Sequence, residues 1–474
     1  MNKLILILLS NFKNLIKKFN FSFLLVILKV KNNKYLALVT DDVLFFYRKV
    51  KIFPVIKKQV NESRLNFVLL TMFFGVIFAV LFHYVHWQAV PGPNGYTRIY
   101  KESFFLPNPV TMFSDFFSLA DQWWRLRWNI NFNYLPAAII PLSLLEDIGR
   151  AMYGYPNPYV TAFIFVYSYI VFLGFYLYYS FISLDILKRF IIILALAICS
   201  YPVLLTLHTS NFESHCFIMI AIAFYLFIKR SHFWSAIFIG FSASIKIYPL
   251  FFIVVIINRK NFWNVVTGSI LGFVSLNFLA LNIRGDFVSN ITTWSTGFMD
   301  GMNSYSVTMI QGWSGIPFSH SLLNAYRLII GPNNIMFNPY PYYYIFAALV
   351  LFFIIYRITK MKNISHKFIL AASALCLLPV TSTDYKLMYF LIPIIILIKS
   401  SRKNWVDSFL LGFMTLLMIP KGYYFVHKVL FGYPGGQYFY FNSNTIINAA
   451  ILILLIAVTI WASYNEKLKS KSAR

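Results

Sequence analysis

The sequence predicts an all-α fold, a polytopic transmembrane helical bundle, and three observations carry that expectation. Of its 474 residues 59% are hydrophobic and 12% charged, with a mean hydropathy of +0.67, a balance that no water-soluble domain of this size sustains. Apolar runs recur near the roughly 20 residues that a hydrocarbon core about 30 Å thick demands of a spanning helix. Runs such as FIIILALAIC and AAILILLIAV are apolar on every face, whereas barrel strands would alternate apolar and polar residues.

In chain order, residues 1–65 come first and hold 13 Lys or Arg, with apolar stretches too short to span. They read as a basic cytoplasmic or interfacial segment. A cleaved signal peptide is the competing reading, but Lys17, Lys18 and Phe19 stand where a small-residue cleavage site should lie. Twelve candidate spans follow at 66–86, 158–181, 189–207, 211–228, 233–245, 247–257, 262–282, 342–358, 367–380, 387–398, 404–420 and 445–463, and a basic tail closes the chain at 464–474.

Twelve spans put both termini on one side. The linkers that should then be cytoplasmic carry Lys188 with Arg189, Lys229 with Arg230, Arg259 with Lys260, the cluster Arg357, Lys360, Lys362 and Lys367, and Lys399, Arg402 and Lys403. Acids behave oppositely. Nine of the 15, namely Glu102, Asp115, Asp121, Glu146, Asp147, Glu213, Asp286, Asp300 and Asp384, fall on the other side or at its boundary. The net charge of +26 is thus dispersed beside apolar runs, a pattern of membrane topology and not of nucleic-acid binding. The three cysteines, Cys199, Cys216 and Cys376, have no metal-ligand spacing and read as packing residues.

Three opposite-side segments are long, 87–157, 283–341 and 421–444, and function is expected there. The first includes NYLPAAIIPLSLL, Pro-broken and suited to an interfacial helix. Two pairs of spans are shorter than a bilayer. The pair 233–245 and 247–257 has basic residues at both outer ends and meets at Lys246, Ile247, Tyr248 and Pro249; the pair 367–380 and 387–398 meets at Thr381 to Lys386. Such broken apices belong where irregular backbone lines a cavity.

Ionisable residues at membrane depth need a partner or a task. Lys246 suits the phosphate of a lipid-linked substrate, or it snorkels to ordinary headgroups. Asp384, Tyr385 and Lys386 offer a cation for phosphate or sugar and a carboxylate to orient it, or form a plain polar turn. Asp115 lies in FSDFFSLADQWWRLRW as a possible general base or helix cap, and Asp121 competes with it for the role. Asn211 reads as the cap of the next span, which leaves Glu213 unexplained; His215 reads as a buried core histidine. The second long segment adds Trp294, Asp300, Asn303, Gln311, Trp313, His320 and Arg327, a mix suited to gripping sugars. No P-loop, Rossmann glycine pattern, HExxH or GxSxG stands in a usable context, which disfavours nucleotide-driven chemistry.

Together these segments resemble the GT-C class of membrane glycosyltransferases, in particular the bacterial glycosyltransferase family 87 group related to polyprenyl-phosphate-mannose-dependent α-mannosyltransferases. The stretch NFESHCFIMIAIAFYLFIKRSHFWSAIFIGFSASIKIYPLFFIVVIINRKNFWN is similar to that family's run from a Gly-Asn turn to a Lys-x-Tyr-Pro apex, and SIKIYPLFF is its most specific part. LLPVTSTDYKLMYFLIPI resembles the family's Ser-x-Asp-Tyr-Lys-Leu segment, and FSDFFSLAD with NYLPA its first-loop Asp and the Pro-containing stretch after it. The agreement runs over about residues 66–400 and makes 66–463 the catalytic domain. One departure stands out: relatives often carry Arg-Gly-Asn where this chain has Thr209, Ser210 and Asn211, so an arginine function is either lost or supplied by Arg125, Arg127 or Arg327.

The resemblance implies inverting transfer of a hexose from a polyprenyl-phosphate donor to a lipid, glycan or protein acceptor on the non-cytoplasmic face of the cell membrane. It assigns Asp115 as base, and Lys246, Tyr248, Lys386, Asp384, Asn211 and Glu213 to donor phosphate and sugar or to organising their site. No metal or other cofactor is expected. The rival reading is a transporter or flippase of lipid-linked saccharides, which would predict repeat symmetry between the halves. A polysaccharide polymerase or ligase, or a catalytically dead homologue, is a further alternative.

Overall fold

The computed structural model describes residues 60–89, 113–121, 134–155, 157–283, 285–306, 319–330, 340–400, 404–421, 424–428 and 438–472. The helices are α1 (Glu62–Ala89), α2 (Ser114–Asp121), α3 (Ile139–Tyr153), α4 (Pro158–Ser180), α5 (Ile186–Ile193), α6 (Tyr201–Thr209), α7 (Glu213–Ile228), α8 (His232–Ile245), α9 (Ile253–Ile256), α10 (Phe262–Leu281), α11 (Phe287–Tyr305), α12 (Leu322–Ile330), α13 (Tyr340–Lys360), α14 (Ile364–Leu377), α15 (Leu391–Ile398), α16 (Trp405–Met418) and α17 (Asn444–Ser472). Three-residue-per-turn segments occupy Pro136–Ala138, Tyr248–Phe252 and Asp384–Phe390. The helical expectation gains one addition, an antiparallel hairpin of β1 (Tyr424–Lys428) and β2 (Tyr438–Asn442) that pairs Val426 with Tyr440.

Every span expected from the sequence is helical, but length divides them. Among the described residues five helical stretches are long and apolar enough to cross a bilayer: Glu62–Leu81, Pro158–Ser180, Phe262–Leu281, Pro341–Lys360 and Asn444–Asn465. A sixth crossing arises if α5 and α6 count together. The sequence reads them as one span, whereas the structure bends them by 60°. The cause is local: a π turn at Leu194–Ile198 leads to Ser200 in extended conformation, and Pro202 cannot continue the ladder. α7, α8, α14 and α16 are apolar but shorter, so twelve complete crossings do not follow from helix lengths. Large side chains such as Phe73, Phe74 and Phe78 on α1 and Leu349 and Phe352 on α13 stay exposed, as lipid-facing positions do.

The two short hairpins fix the depth of the site. α7 and α8 run 16 and 14 residues from the basic turn at Lys229 and Arg230, so their far ends stand about 21–24 Å from it at 1.5 Å per residue. α14 covers 14 residues and rises about as far from the cluster around Arg357 to Lys362. Both broken apices therefore lie a similar distance from the basic turns, short of the roughly 30 Å that a full crossing needs.

Close packing holds α8 upright. A Cβ on Gly272 would lie 2.3 Å from the Ile237 carbonyl oxygen, and one on Gly240 2.4 Å from that of Ser269. The two helix backbones can touch only because these positions lack side chains. On the opposite flank the Ser242 hydroxyl donates to the Cys216 carbonyl at 3.1 Å, tying α8 to α7. At the basic-turn end, a buried Asp407 accepts from Arg64 at 3.3 Å and pairs with His366 at 2.9 Å, fastening α1 to α14 and α16.

Candidate active site

The site begins with a chain reversal. α6 ends at Ser210, whose φ of 52° and ψ of 44° are left-handed, a conformation that an L residue adopts at a cost of roughly 1–2 kcal/mol. Glycine enters that conformation freely, so Ser210 stands where glycine would be unstrained. The reversal brings Asn211 to the start of α7, where its Oδ1 accepts from the Glu213 amide at 2.9 Å. The sequence expectation of a capping Asn holds, and the same side chain does more. Its Nδ2 donates to Asp115 Oδ2 at 2.7 Å, and its Oδ1 accepts a second bond from Lys246 Nζ at 2.8 Å.

Glu213, left unexplained by capping, is fully buried and holds the other half of the cluster. Its Oε2 accepts from Lys246 Nζ at 3.1 Å and from the Tyr248 hydroxyl. An ammonium has three N–H donors; Lys246 commits one to Asn211 and one to Glu213. Its charge also faces the rings of Tyr134 and Tyr385, 5.2 and 5.1 Å from their centroids.

Lys386 reaches the cluster from the second apex. Its ammonium stands 4.4 Å from the centroid of the Tyr248 ring, and among the described residues no side chain or carbonyl accepts a hydrogen bond from it. The two apices are therefore interlocked. Lys246 of the first lies against Tyr385 of the second, and Lys386 of the second lies against Tyr248 of the first.

Asp384, two residues before Lys386, points away from this exchange. Its Oδ1 is bonded by His320 Nδ1 at 2.8 Å and Asn448 Nδ2 at 2.9 Å, and its Oδ2 by Asn444 Nδ2 at 2.6 Å. Burial holds the His320 imidazole below the usual histidine range, with Asp384 opposing, so a neutral ring donates from Nδ1. The segment around His320 grips the same turn through its backbone, His320 N to Ser382 O at 2.8 Å and Ser321 Oγ to Val380 O at 2.6 Å. His320, expected among sugar-gripping residues, instead secures the apex that presents Lys386.

Tyr134 is the residue that chemical reading of the loop missed, although its NYLPA stretch stood out. The Leu135 amide donates to the Ile245 carbonyl at 3.3 Å and the Trp294 indole to the Tyr134 carbonyl at 3.1 Å, which seats the ring beside Lys246. Burial pushes its phenol up to about 12, with Lys246 pulling the other way. Trp294 thus packs behind the site, while Asp300 and Asn303 are exposed on α11. Arg327 bonds Asn324 at 3.3 Å. His215 stacks on Phe165 at 4.2 Å, as a core histidine should. Arg125, Arg127, Gln311 and Trp313 lie outside the described residues, and of Asp121 only the helical backbone is described.

The assembled groups comprise a half-buried carboxylate, Asp115, with Oδ1 accepting no bond among the described residues, the Lys246 ammonium joined to it through Asn211, and the Lys386 ammonium across the Tyr248 ring. Such an arrangement can take a proton on one side and hold an anion on the other. Among the described residues no three His, Cys, Asp or Glu side chains gather as metal ligands would. No curated protein matches the chain. Residues 134–383, just over half of the chain, match the family model of glycosyltransferase family 87. The matched stretch contains Asn211, Glu213, Lys246 and Tyr248; the fold adds Asp115 from before it and Lys386 from just beyond. With the apolar helices that surround this site, the chain belongs to glycosyltransferase family 87 and is a membrane glycosyltransferase.

Proposed function

We propose that the enzyme transfers a hexose from a polyprenyl-phosphate donor to a lipid or glycan acceptor on the non-cytoplasmic side of the cell membrane, with inversion at the anomeric carbon. The observation that carries this reading is the interlocked pair of lysines opposite a single accessible carboxylate. Lys246 retains one N–H and Lys386 three for an anion, enough to hold a phosphodiester and to receive the charge that develops as it leaves. A membrane-embedded donor would present that phosphate near the lipid boundary, and both apices stand at the ends of their helices remote from the basic turns, as such a donor would require. The basic turns at the opposite end favour cytoplasmic termini.

In the proposed step Asp115 Oδ1 takes the proton of the acceptor hydroxyl as its oxygen attacks the anomeric carbon. The new glycosidic C–O bond forms on the face opposite the breaking C–O bond to phosphate, whose electron pair leaves on the phosphate between Lys246 and Lys386. One displacement with one base inverts the configuration. Glu213 and Tyr248 hold Lys246 and support the donor end of the site, and Asp384 keeps the second apex in place.

The test is mass spectrometry of lipids and envelope glycans from host cells lacking the protein, complemented with the wild type or Asp115→Asn. Accumulation of a polyprenyl-phosphate sugar with loss of one glycan residue, reversed by the wild type alone, is the expected result. Unchanged profiles would favour a transport role, and full rescue by Asp115→Asn would remove Asp115 as the base.

A further inference from the structure

We infer that Asn211 is a positioning residue whose carboxamide links the phosphate-binding ammonium of Lys246 to the Asp115 carboxylate, so that donor binding and proton abstraction are coupled through one side chain. This rests on the proposed roles of Asp115 and Lys246, and it assigns Asn211 a task distinct from touching donor.

The direction of the link follows from its partners. The Lys246 ammonium and the Glu213 amide can only donate, and both converge on one atom of the Asn211 side chain, at 2.8 and 2.9 Å. That atom must be the carbonyl oxygen. The amide nitrogen is then forced towards Asp115 Oδ2 at 2.7 Å, where only a donor fits against a carboxylate. A flipped amide would set N–H against two donors and C=O against an anion. With Asn211 3% exposed, water cannot rescue that state.

Two consequences follow for the reaction. The bond from Asn211 occupies Oδ2 of Asp115 and leaves Oδ1 as the oxygen that receives the acceptor proton. Withdrawal of electron density by Lys246 polarises the amide, which strengthens its N–H bond to Asp115. When a donor phosphate shares the Lys246 charge, that polarisation weakens and the Asn211 bond to Asp115 loosens as the donor arrives. The backbone supports the placement: the left-handed Ser210 turns the chain, and Ser214 donates from both its amide and its hydroxyl to the Asn211 carbonyl, at 3.1 and 3.0 Å.

The other titratable groups facing Asp115 are His208 on α6 and Tyr134 and Tyr385 from the two loops, with Tyr159 of α4 against the neighbouring Phe117. None of them bonds Asn211, whereas Lys246 loses its Asn211 partner in any such variant, so the charge-adding Asn211→Asp is read against Asn211→Ala, which adds no charge.

The experiment is pH-titrated infrared difference spectroscopy of the full-length protein in nanodiscs, reading the protonated-carboxyl band that disappears in Asp115→Asn. Asn211→Asp puts a second carboxylate against Oδ2, and the midpoint of that band should rise by at least about one pH unit. Asn211→Ala removes the donor without adding charge and should raise it by less. Wild-type midpoints in both variants would overturn the link, even where Asp115→Asn abolishes transfer in cells. Raised midpoints together with full rescue by Asp115→Asn would keep the link and discard Asp115 as the base. Thiol-dye unfolding checks that each variant is folded, and where the two variants disagree Asn211→Ala, which adds no charge, decides the outcome.

Discussion

Lys386→Met should make the ligand-free protein more stable and the enzyme far worse. Lys386 is 8% exposed and its ammonium has neither a carboxylate nor another hydrogen-bond acceptor among the described residues; it lies over the Tyr248 ring, 4.4 Å from the centroid. Burying an ion costs several kcal/mol after relaxation, and a desolvated cation–π contact returns about 2 kcal/mol. Attraction to the more distant Glu213 returns a further part. Met fills a similar volume with no charge to desolvate, so the net expectation is a gain of about 1–2 kcal/mol. Activity should move the other way. Two charge-assisted bonds to phosphate at about 1.5–3 kcal/mol each correspond to a fall of at least 100-fold in kcat/KM for the donor. A thiol-reactive dye can follow unfolding through Cys216 and Cys376, both fully buried, beside a donor-concentration series in the same preparation. Loss of more than 1 kcal/mol of stability would show that Lys386 is a structural cation, and an unchanged donor dependence would refute its contact with phosphate.

Two substitutions probe the scaffold. Gly272→Ala puts a methyl group 2.3 Å from a backbone oxygen that cannot swing aside, so α8 and α10 must part; we expect a loss of about 1–3 kcal/mol and reduced transfer, read by the same dye and activity assays. Ser210→Gly should leave stability within about 1 kcal/mol and transfer intact, because release of left-handed strain is offset by a looser unfolded chain and loss of the 3.3 Å Ser210 Oγ to Leu207 O bond. Ser210→Val, β-branched at a buried left-handed position, should cost more than 2 kcal/mol and impair transfer; equal behaviour of the two variants would contradict the backbone argument.

The broken apices were legible because Lys-x-Tyr-Pro and Asp-Tyr-Lys interrupt apolar runs too short to cross, and a polar interruption at depth needs a reason. Their interlocking was not legible. It joins Tyr248 to Lys386 across 138 positions of the chain, read from the residue numbers, and no periodicity encodes such a distance. Asp384 shows the same limit, since its partners Asn444 and Asn448 sit in the first turns of α17, which reads simply as a span. The count of twelve spans is not confirmed by helix length for a different reason: hydropathy scores a 14-residue apolar helix much as it scores part of a crossing. The bend between α5 and α6 had a sequence signal in Pro202, as did the contact of α8 with α10 in the Gly268 to Gly272 spacing, and both were masked by uniform apolarity.

The arrangement of formal charges suits the proposed reaction. Asp115 and Glu213 balance Lys246 and Lys386, so the four groups sum to zero before a donor enters. A phosphodiester brings one negative charge. As transfer proceeds, Asp115 gains a proton and loses its charge, while the departing phosphate gains one, so the total stays at minus one throughout. Nothing needs to be neutralised from outside this largely buried cluster; charge moves only from the carboxylate towards the two ammonium groups. Lysines set opposite the base stabilise the end of that displacement more than its beginning, which is the condition for lowering a barrier. Glu213 matters here because it fixes Lys246 without touching Lys386. If both lysines had carboxylate partners, the developing phosphate charge would have to compete for each of them. The unequal pairing therefore assigns anchoring to Lys246 and charge capture to Lys386.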